Sequence, residues 1–220
     1  MKINADWSER AVVRTDQMDW VASPTPGVER KMLERDGDEV ARATSLVRYA
    51  PGSVFPPHEH GAGEEFLVLH GVFSDDMGDY GPGAYVRNPP GSSHTPGSRD
   101  GCTILVKLRY MGADDVDRVV VDTANGPWQP TGADGVEVVM LHDGPRETVA
   151  LVRLAPGTVS PQHDHPGGEE VFVLEGALQD GLGHYPAGTW LRQPPGSSHQ
   201  PSSPSGALLF VKSGHLRPAA

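Results

Sequence analysis

The chain has 220 residues, among them 27 glycines, 21 prolines and one cysteine, and a formal net charge of -11. That much glycine and proline signals many turns rather than long helices, and the length allows two small cores or one composite core. The acidic balance, with Lys and Arg scattered, argues against a nucleic-acid partner. Cys102 alone excludes an intrachain disulfide or a zinc site of several thiolates. No apolar run of about 18 residues offers a membrane span. Met1 to Trp7 lacks the apolar core of a secretory signal, so a cytoplasmic address is expected.

In chain order, the apolar clusters are short and bounded by turn residues. A hairpin is expected around Asp36-Gly37, because the tight turn that this dipeptide favours needs positive φ. Leu67-Val68-Leu69 and Thr103-Ile104-Leu105-Val106 read as strands, with Cys102 a small buried residue beside the second. A second hairpin is expected around Asp143-Gly144, then strands at Val171-Phe172-Val173-Leu174 and Leu208-Leu209-Phe210-Val211. The expected class is all-β.

The second set of elements repeats the first. Leu46 to Lys107 aligned without gaps on Leu151 to Lys212 gives 32 identities in 62 positions. Further back, Gly27-Val28-Glu29 and Met32-Leu33 match Gly135-Val136-Glu137 and Met140-Leu141 at an offset of 108 instead of 105, so the second hairpin is three residues shorter. A period this long fits two whole domains, expected over residues 1–115 and 116–220. Their duplicated sheets should share an apolar interface, so the halves are not expected to fold well separately.

The repeat carries a metal-ligand pattern. His58, His60, Glu64 and His94 recur as His163, His165, Glu169 and His199, which accounts for six of the ten histidines. Residues i and i+2 of a strand share a face, so each His-x-His pair can present two imidazoles to one point. Glu64 and Glu169 follow across a glycine-bearing turn, and His94 and His199 follow a rigid Pro-Pro-Gly turn. The adjacent Glu65 and Glu170 should face away, because neighbouring strand residues alternate. Three imidazoles and a carboxylate suit Fe(II), Mn(II), Zn(II), Ni(II) or Cu(II), and four ligands on an octahedral ion leave two positions open. Arg48 with Arg153, Arg87 with Arg192, and Tyr80 with Tyr185 also repeat; surface pairing and core packing are the expected roles, orientation of an anionic or carbonyl substrate the alternative. His70, His142, His184 and His215 have no partner in the repeat and are expected to be solvated or structural.

The run Gly52, His58-x-His60, Glu64, Gly71 resembles the first motif of the cupin superfamily, and Gly83, Pro89-x-Gly91-x-x-His94 resembles the second; Gly157 to Gly176 and Gly188 to His199 repeat both. The chain departs from the usual pattern at Ser98 and Ser203, where asparagine is common, and in the short stretch between motifs, which demands a tight turn. Within the superfamily the Gly-Glu-Glu, Asp-Tyr and Pro-Pro-Gly-Ser-Ser-His strings are most similar to ChrR-like cupins, named for an anti-sigma factor. The resemblance implies a bicupin, two tandem jelly-roll β-sandwich or barrel domains with one divalent metal per barrel, Fe(II) or Zn(II) foremost, and a small-molecule substrate or ligand inside. A homo-oligomer is compatible with it. Anti-sigma activity does not carry over, since the separate helical zinc domain with its cysteines is not found in this sequence.

Three functions fit. One is a non-haem, Fe(II)-type oxygenase or related small-molecule enzyme, by analogy with iron-dependent dioxygenases of this cupin type that cleave carbon-carbon bonds of ketones. Another is a zinc-binding sensor or regulatory cupin without catalysis. The third is a purely structural metal, which the open ligand sets disfavour because structural zinc is usually closed and cysteine-rich. No catalytic residue beyond the ligands is assigned from sequence.

Overall fold

The computed structural model describes residues 1–124 and 126–216. Among these, strands dominate and the helical content is one 3-10 turn, Thr15–Gln17. No helix among the described residues is long and apolar enough to cross a membrane. The chain divides into two compact units, one of Met1–Ala5 with Met18–Gly126, the other of Asp6–Gln17 with Pro127–Ala220.

In the first unit the main antiparallel sheet runs Lys2–Ile3, Val28–Gly37, Ala41–Tyr49, Cys102–Leu108, Glu64–Gly71, Ala84–Asn88, Val119–Asp122, with Val21–Ala22 added beside Val28–Gly37. A smaller sheet of Gly78–Tyr80, Phe73–Asp75, Gly97–Ser98 and Ser53–Val54 lies apart from it. Between them pack Tyr49, Phe66, Phe73, Tyr80, Val86 and Ile104, with the Phe66 and Phe73 ring centroids 4.5 Å apart. The second unit repeats the plan in the order Gln129–Pro130, Val136–Asp143, Thr148–Leu154, Ala207–Ser213, Glu169–Asp180, Thr189–Gln193, Ala11–Arg14. Its core is aliphatic where the first is aromatic, with Leu154 for Tyr49, Val171 for Phe66 and Leu178 for Phe73. Each unit is thus a jelly-roll sandwich, and the chain is all-β as its turn-rich sequence implies.

The compact units differ from a linear cut at 115/116 in two exchanged segments. Ala11–Arg14 pairs with Thr189–Gln193, Ala11 opposite Arg192; Val119–Asp122 pairs with Ala84–Asn88 in the equivalent register, Val119 opposite Arg87. The next residue locks each strand in the same way, Thr15 donating from its amide and hydroxyl to the Gly188 carbonyl and Thr123 to that of Gly83. Each sheet thus ends on a short strand from the other half of the sequence, and a short edge is a poorer template for aggregation than a long one.

The two expected hairpins form, the first with its tip beyond the predicted dipeptide and the second with Gly144 inside its turn. Asp36 and Gly37 still pair with Arg42 and Ala41, so the turn is Asp38 to Val40; Asp143 pairs with Thr148, and Gly144 to Glu147 make the second turn. A bulge in each hairpin, at Leu33 and at Leu141, shifts the register by one. Gly71 and Gly176 are required by sterics: each has positive φ, and a Cβ there would stand 2.0 Å from the carbonyl oxygen of Gly101 or Gly206. Ser98 and Ser203, at the position of the expected asparagine, donate hydroxyl bonds to the carbonyls of Val72 and Ala177 and pin the two sheets together.

Candidate metal centres

Each ligand set is assembled by three local devices. His58 and His60 sit at a two-residue strand, His58–Glu59, paired with Ser93–His94 so that His58 lies opposite His94. The Pro89 to Ser92 turn then clamps His60, whose amide donates to the Ser92 carbonyl while its carbonyl accepts from Gly91. Gly63, with φ 76, reverses the chain so that Glu64 starts the next strand of the main sheet. The second unit does the same with His163–His165 against Ser197–His199, Gly168 and Glu169.

The four residues of each set are brought together, their donor atoms within 4.8 Å of one another. Two ligands on opposite sides of an ion at about 2.1 Å would be about 4.2 Å apart, so a few tenths of an ångström of contraction suffices. His60 Nε2 and His94 Nε2 lie 3.6 and 3.4 Å from Glu64 Oε1; in the second unit His199 Nε2 lies 3.8 Å from Glu169 Oε1. Burial leaves His60 Nε2, Glu64 Oε1, His94 Nε2, His165 Nε2 and His199 Nε2 without hydrogen bonds. Orphaned polar atoms at such depth are rare and costly, and their convergence on a point fits a cation.

The opposite ring nitrogens fix the tautomers in the first cluster. His58 Nδ1 faces the Pro56 carbonyl at 3.0 Å, which can only accept. His60 Nδ1 faces Ser92 Oγ at 2.9 Å, and the hydroxyl proton of Ser92 is already given to the Pro89 carbonyl, so here too the ring donates. His94 Nδ1 donates to Asp75 Oδ2 at 3.1 Å. All three Nε2 atoms therefore carry a lone pair toward Glu64, as metal ligation requires. In the second cluster His163 and His199 are held likewise by Pro161 and Asp180, but His165 Nδ1 is turned toward Glu169 Oε2 at 3.7 Å.

Electrostatics follow from burial. Desolvation, then the charges of His94 and His58, push His60 down to about 3, and desolvation with His199 pushes His165 down to about 4. Burial raises Glu64, and raises Glu169 to about 7. Burial thus disfavours the charged forms of His60, His165, Glu64 and Glu169, and ligation by Glu169 below about pH 7 must expel a proton.

Asp75 and Asp180 are site residues that sequence reasoning passed over, although they repeat at the same offset. Each starts the tight turn between the motifs, taking the Met77 or Leu182 amide on one carboxylate oxygen and the ligand histidine on the other. Burial alone would raise both, but the hydrogen bonds from histidine, tyrosine and backbone hold them below the usual range. The chain of contacts continues outward. Tyr80 and Tyr185 donate to these aspartates and accept from Arg118 and Arg10, which are carried by the exchanged segments. Tyr80 and Tyr185 thus support the ligand rather than line the core alone.

The other repeated residues have structural roles. Arg48 and Arg153 are surface pairs with Glu29 and Glu137, stacked over Trp20 and Trp128. Glu65 faces away from the cluster, as strand alternation requires, and accepts from buried Arg87 at 2.9 Å and Tyr85 at 2.7 Å. Arg192 is held by the carbonyls of Asp6 and Glu9. Of the unpaired histidines, His70 and His184 are exposed, and His215 Nε2 sits 3.3 Å from Glu170. Cys102 is buried.

The clusters differ in what surrounds them. The first lies on a cavity of about 330 Å³ that reaches between the sheets, lined by all four candidate ligands and by Val28, Val47, Tyr49, Phe55, Phe73 and Ile104. The depression at the second is lined by the hairpin loop Gly144 to Thr148 and by the ligand segment His163 to Glu169.

Comparison with known proteins agrees with this architecture. Solved structures with the same fold include a putative dioxygenase from Nostoc punctiforme, 18% identical with a TM-score of 0.75 over 97% of this chain and 85% of that one. The protein Ylba from E. coli is 14% identical, with a TM-score of 0.75 over 98% and 95%. A single-residue variant of oxalate decarboxylase from Bacillus subtilis is 15% identical, with a TM-score of 0.62 over 94% and 78%. At these identities the likeness is one of fold. No curated protein sequence matches the chain. The family model described as ChrR Cupin-like domain matches residues 8–112 and again 116–217, so the chain belongs to that family as a tandem pair of cupin domains.

Proposed function

We propose that the protein is a metal-dependent small-molecule enzyme of the non-haem Fe(II) oxygenase type, working in the first barrel. His58, His60, Glu64 and His94 would hold the catalytic ion, and His163, His165, Glu169 and His199 a second one that serves stability. The observation carrying this reading is that the unpaired ligand atoms of the first cluster meet at an apolar cavity. Once bound, an ion of this type supplies a Lewis acid with open positions for substrate and oxygen.

The chain's own residues supply the rest. Asp75, Ser92 and the Pro56 carbonyl hold the three imidazoles in one tautomer and orientation. Phe55, Phe73 and Ile104 exclude water from the cavity. Tyr49 lines the same space, and its hydroxyl has no hydrogen-bond partner among the described residues. Burial, with Glu64 nearby, pushes its phenol up, so it stays protonated and would offer a hydrogen bond to a polar atom of a molecule in the cavity. In the second barrel Leu154 occupies its place.

The test is oxygen uptake by protein reconstituted anaerobically with Fe(II), screened with diketones, hydroxyketones and phenolic ketones. Turnover that His60→Ala abolishes and His165→Ala leaves in place is expected. Turnover that His165→Ala abolishes and His60→Ala leaves in place would overturn the assignment to the first barrel, and equal loss in both variants would contradict a first site that works alone. The alternative, a zinc-holding ligand sensor in the cytoplasm, draws on the match to the cupin domain named for an anti-sigma factor. Zinc that survives iron reconstitution with no oxygen chemistry would favour it.

A further inference from the structure

Arg109 is one of two non-glycine residues with positive φ among the described residues, at 64°. The repeat places Gly214 there, with φ 92. An arginine in this conformation costs about 1 kcal/mol or more that glycine would not, which calls for a use of the side chain. The guanidinium lies over Gly61, the residue after His60; a Cβ on Gly61 would come within 3.0 Å of Arg109 Nη1. It borders the mouth of the first cavity, is exposed, and has no carboxylate partner or hydrogen-bond acceptor among the described residues.

Arg30 and the buried Arg35 also line this cavity. Arg30 is paired with Glu39 at 3.1 Å, and Arg35 donates to the Asp38 carbonyl. Glu59, on the alternate face of its strand, is the remaining carboxylate at the rim. In the second repeat Arg30, Arg35 and Arg109 become Val138, Asp143 and Gly214. These three arginines therefore have no counterpart in the second repeat, where Arg146 is the cation beside the ligand set, and in a chain with 18 basic against 29 acidic residues they offset locally the repulsion an anion would meet.

We infer that the first barrel takes a small apolar carboxylate, its aromatic or aliphatic body between Val47, Phe55 and Phe73 and its carboxylate on Arg109 at the mouth. A volume of about 330 Å³ admits one ring with a short chain and lies at the low end for small-molecule sites. The guanidinium fork matches a carboxylate with two parallel hydrogen bonds. The inference deepens the enzyme reading by naming the ligand class of the same site, and it is tested by binding rather than turnover.

The probes are 3-phenylpropanoate and its neutral counterpart 3-phenylpropan-1-ol, titrated calorimetrically into metal-loaded and metal-stripped full-length protein. Arg109→Gly restores the residue of the other repeat and relieves the backbone, so it is expected to fold at least as well. It should weaken the acid by about tenfold or more and leave the alcohol unchanged, with Arg109→Lys intermediate. An Arg109-dependent preference for the acid in metal-stripped protein supports the inference even if iron chemistry fails. Failure of the acid to bind, equal affinity for acid and alcohol, or an unchanged acid affinity in Arg109→Gly overturns it and leaves the oxygen-uptake test untouched.

Discussion

Metal binding at the second cluster should be coupled to one proton, and the coupling can be sized. Glu169 is raised to about 7 by burial, so without metal its carboxyl is largely protonated below that pH. A bound cation requires the carboxylate, so affinity rises with pH until the group ionises unaided and then levels off. The apparent affinity should fall about tenfold from about pH 8 to pH 6 and about tenfold again by pH 5, or about 1.4 kcal/mol per step. The fall steepens near 4, where His165 takes its proton. The assay is competition with a chromophoric chelator in His60→Ala protein, where the second cluster is isolated, with calorimetry in two buffers of different ionisation enthalpy to count protons at pH 6. Glu169→Gln should bind more weakly and lose the slope. Affinity that stays flat from pH 8 to 5 would refute the argument, because the carboxyl would then be ionised despite its burial.

Three further outcomes follow from the structure. Asp75→Ala frees the His94 ring and should weaken metal at the first site about 10–100-fold while sparing the second; unchanged affinity would mean that the aspartate only shapes its turn. Deletion of residues 1–17 removes the strand paired with Thr189–Gln193 and strips buried Arg192 of the Asp6 and Glu9 carbonyls, a loss of about 3 kcal/mol or more. The fragment 127–220 should accordingly fail to melt cooperatively, and a sharp reversible transition for it would contradict the exchange of strands. Gly71→Ala forces a Cβ against the Gly101 carbonyl and should prevent accumulation of folded protein, whereas Gly91→Ala meets nothing within 4 Å and should cost only about 1–2 kcal/mol of backbone strain; equal melting temperatures would refute the distinction.

The clustering of the candidate ligands was legible because their spacing follows strand geometry: His58 and His60 share a face, and Glu64 turns to the cluster while Glu65 turns to Arg87. The hairpins were legible as hairpins, but the bulges at Leu33 and Leu141 have no local signature, and Asp36-Gly37 stays within the paired strands rather than forming the turn. Asp75 was passed over, although it repeats as Asp180, because an aspartate in a tight turn is ordinary; only the structure shows its second oxygen on His94. The exchange of Ala11–Arg14 and Val119–Asp122 is invisible in sequence, since a strand's pattern says which face is buried and nothing about which sheet it joins. The difference between the barrels lies in substitutions such as Tyr49 for Leu154 and Arg109 for Gly214, which acquire meaning once they are seen on one cavity.

The most direct test is elemental analysis of protein purified without added metal or chelator, alongside His60→Ala and His165→Ala. Two equivalents of a transition metal per chain in the parent and about one in each variant, with the fold retained, is the predicted result. Parent and variants with the same metal content would contradict the assignment of the two clusters as metal centres.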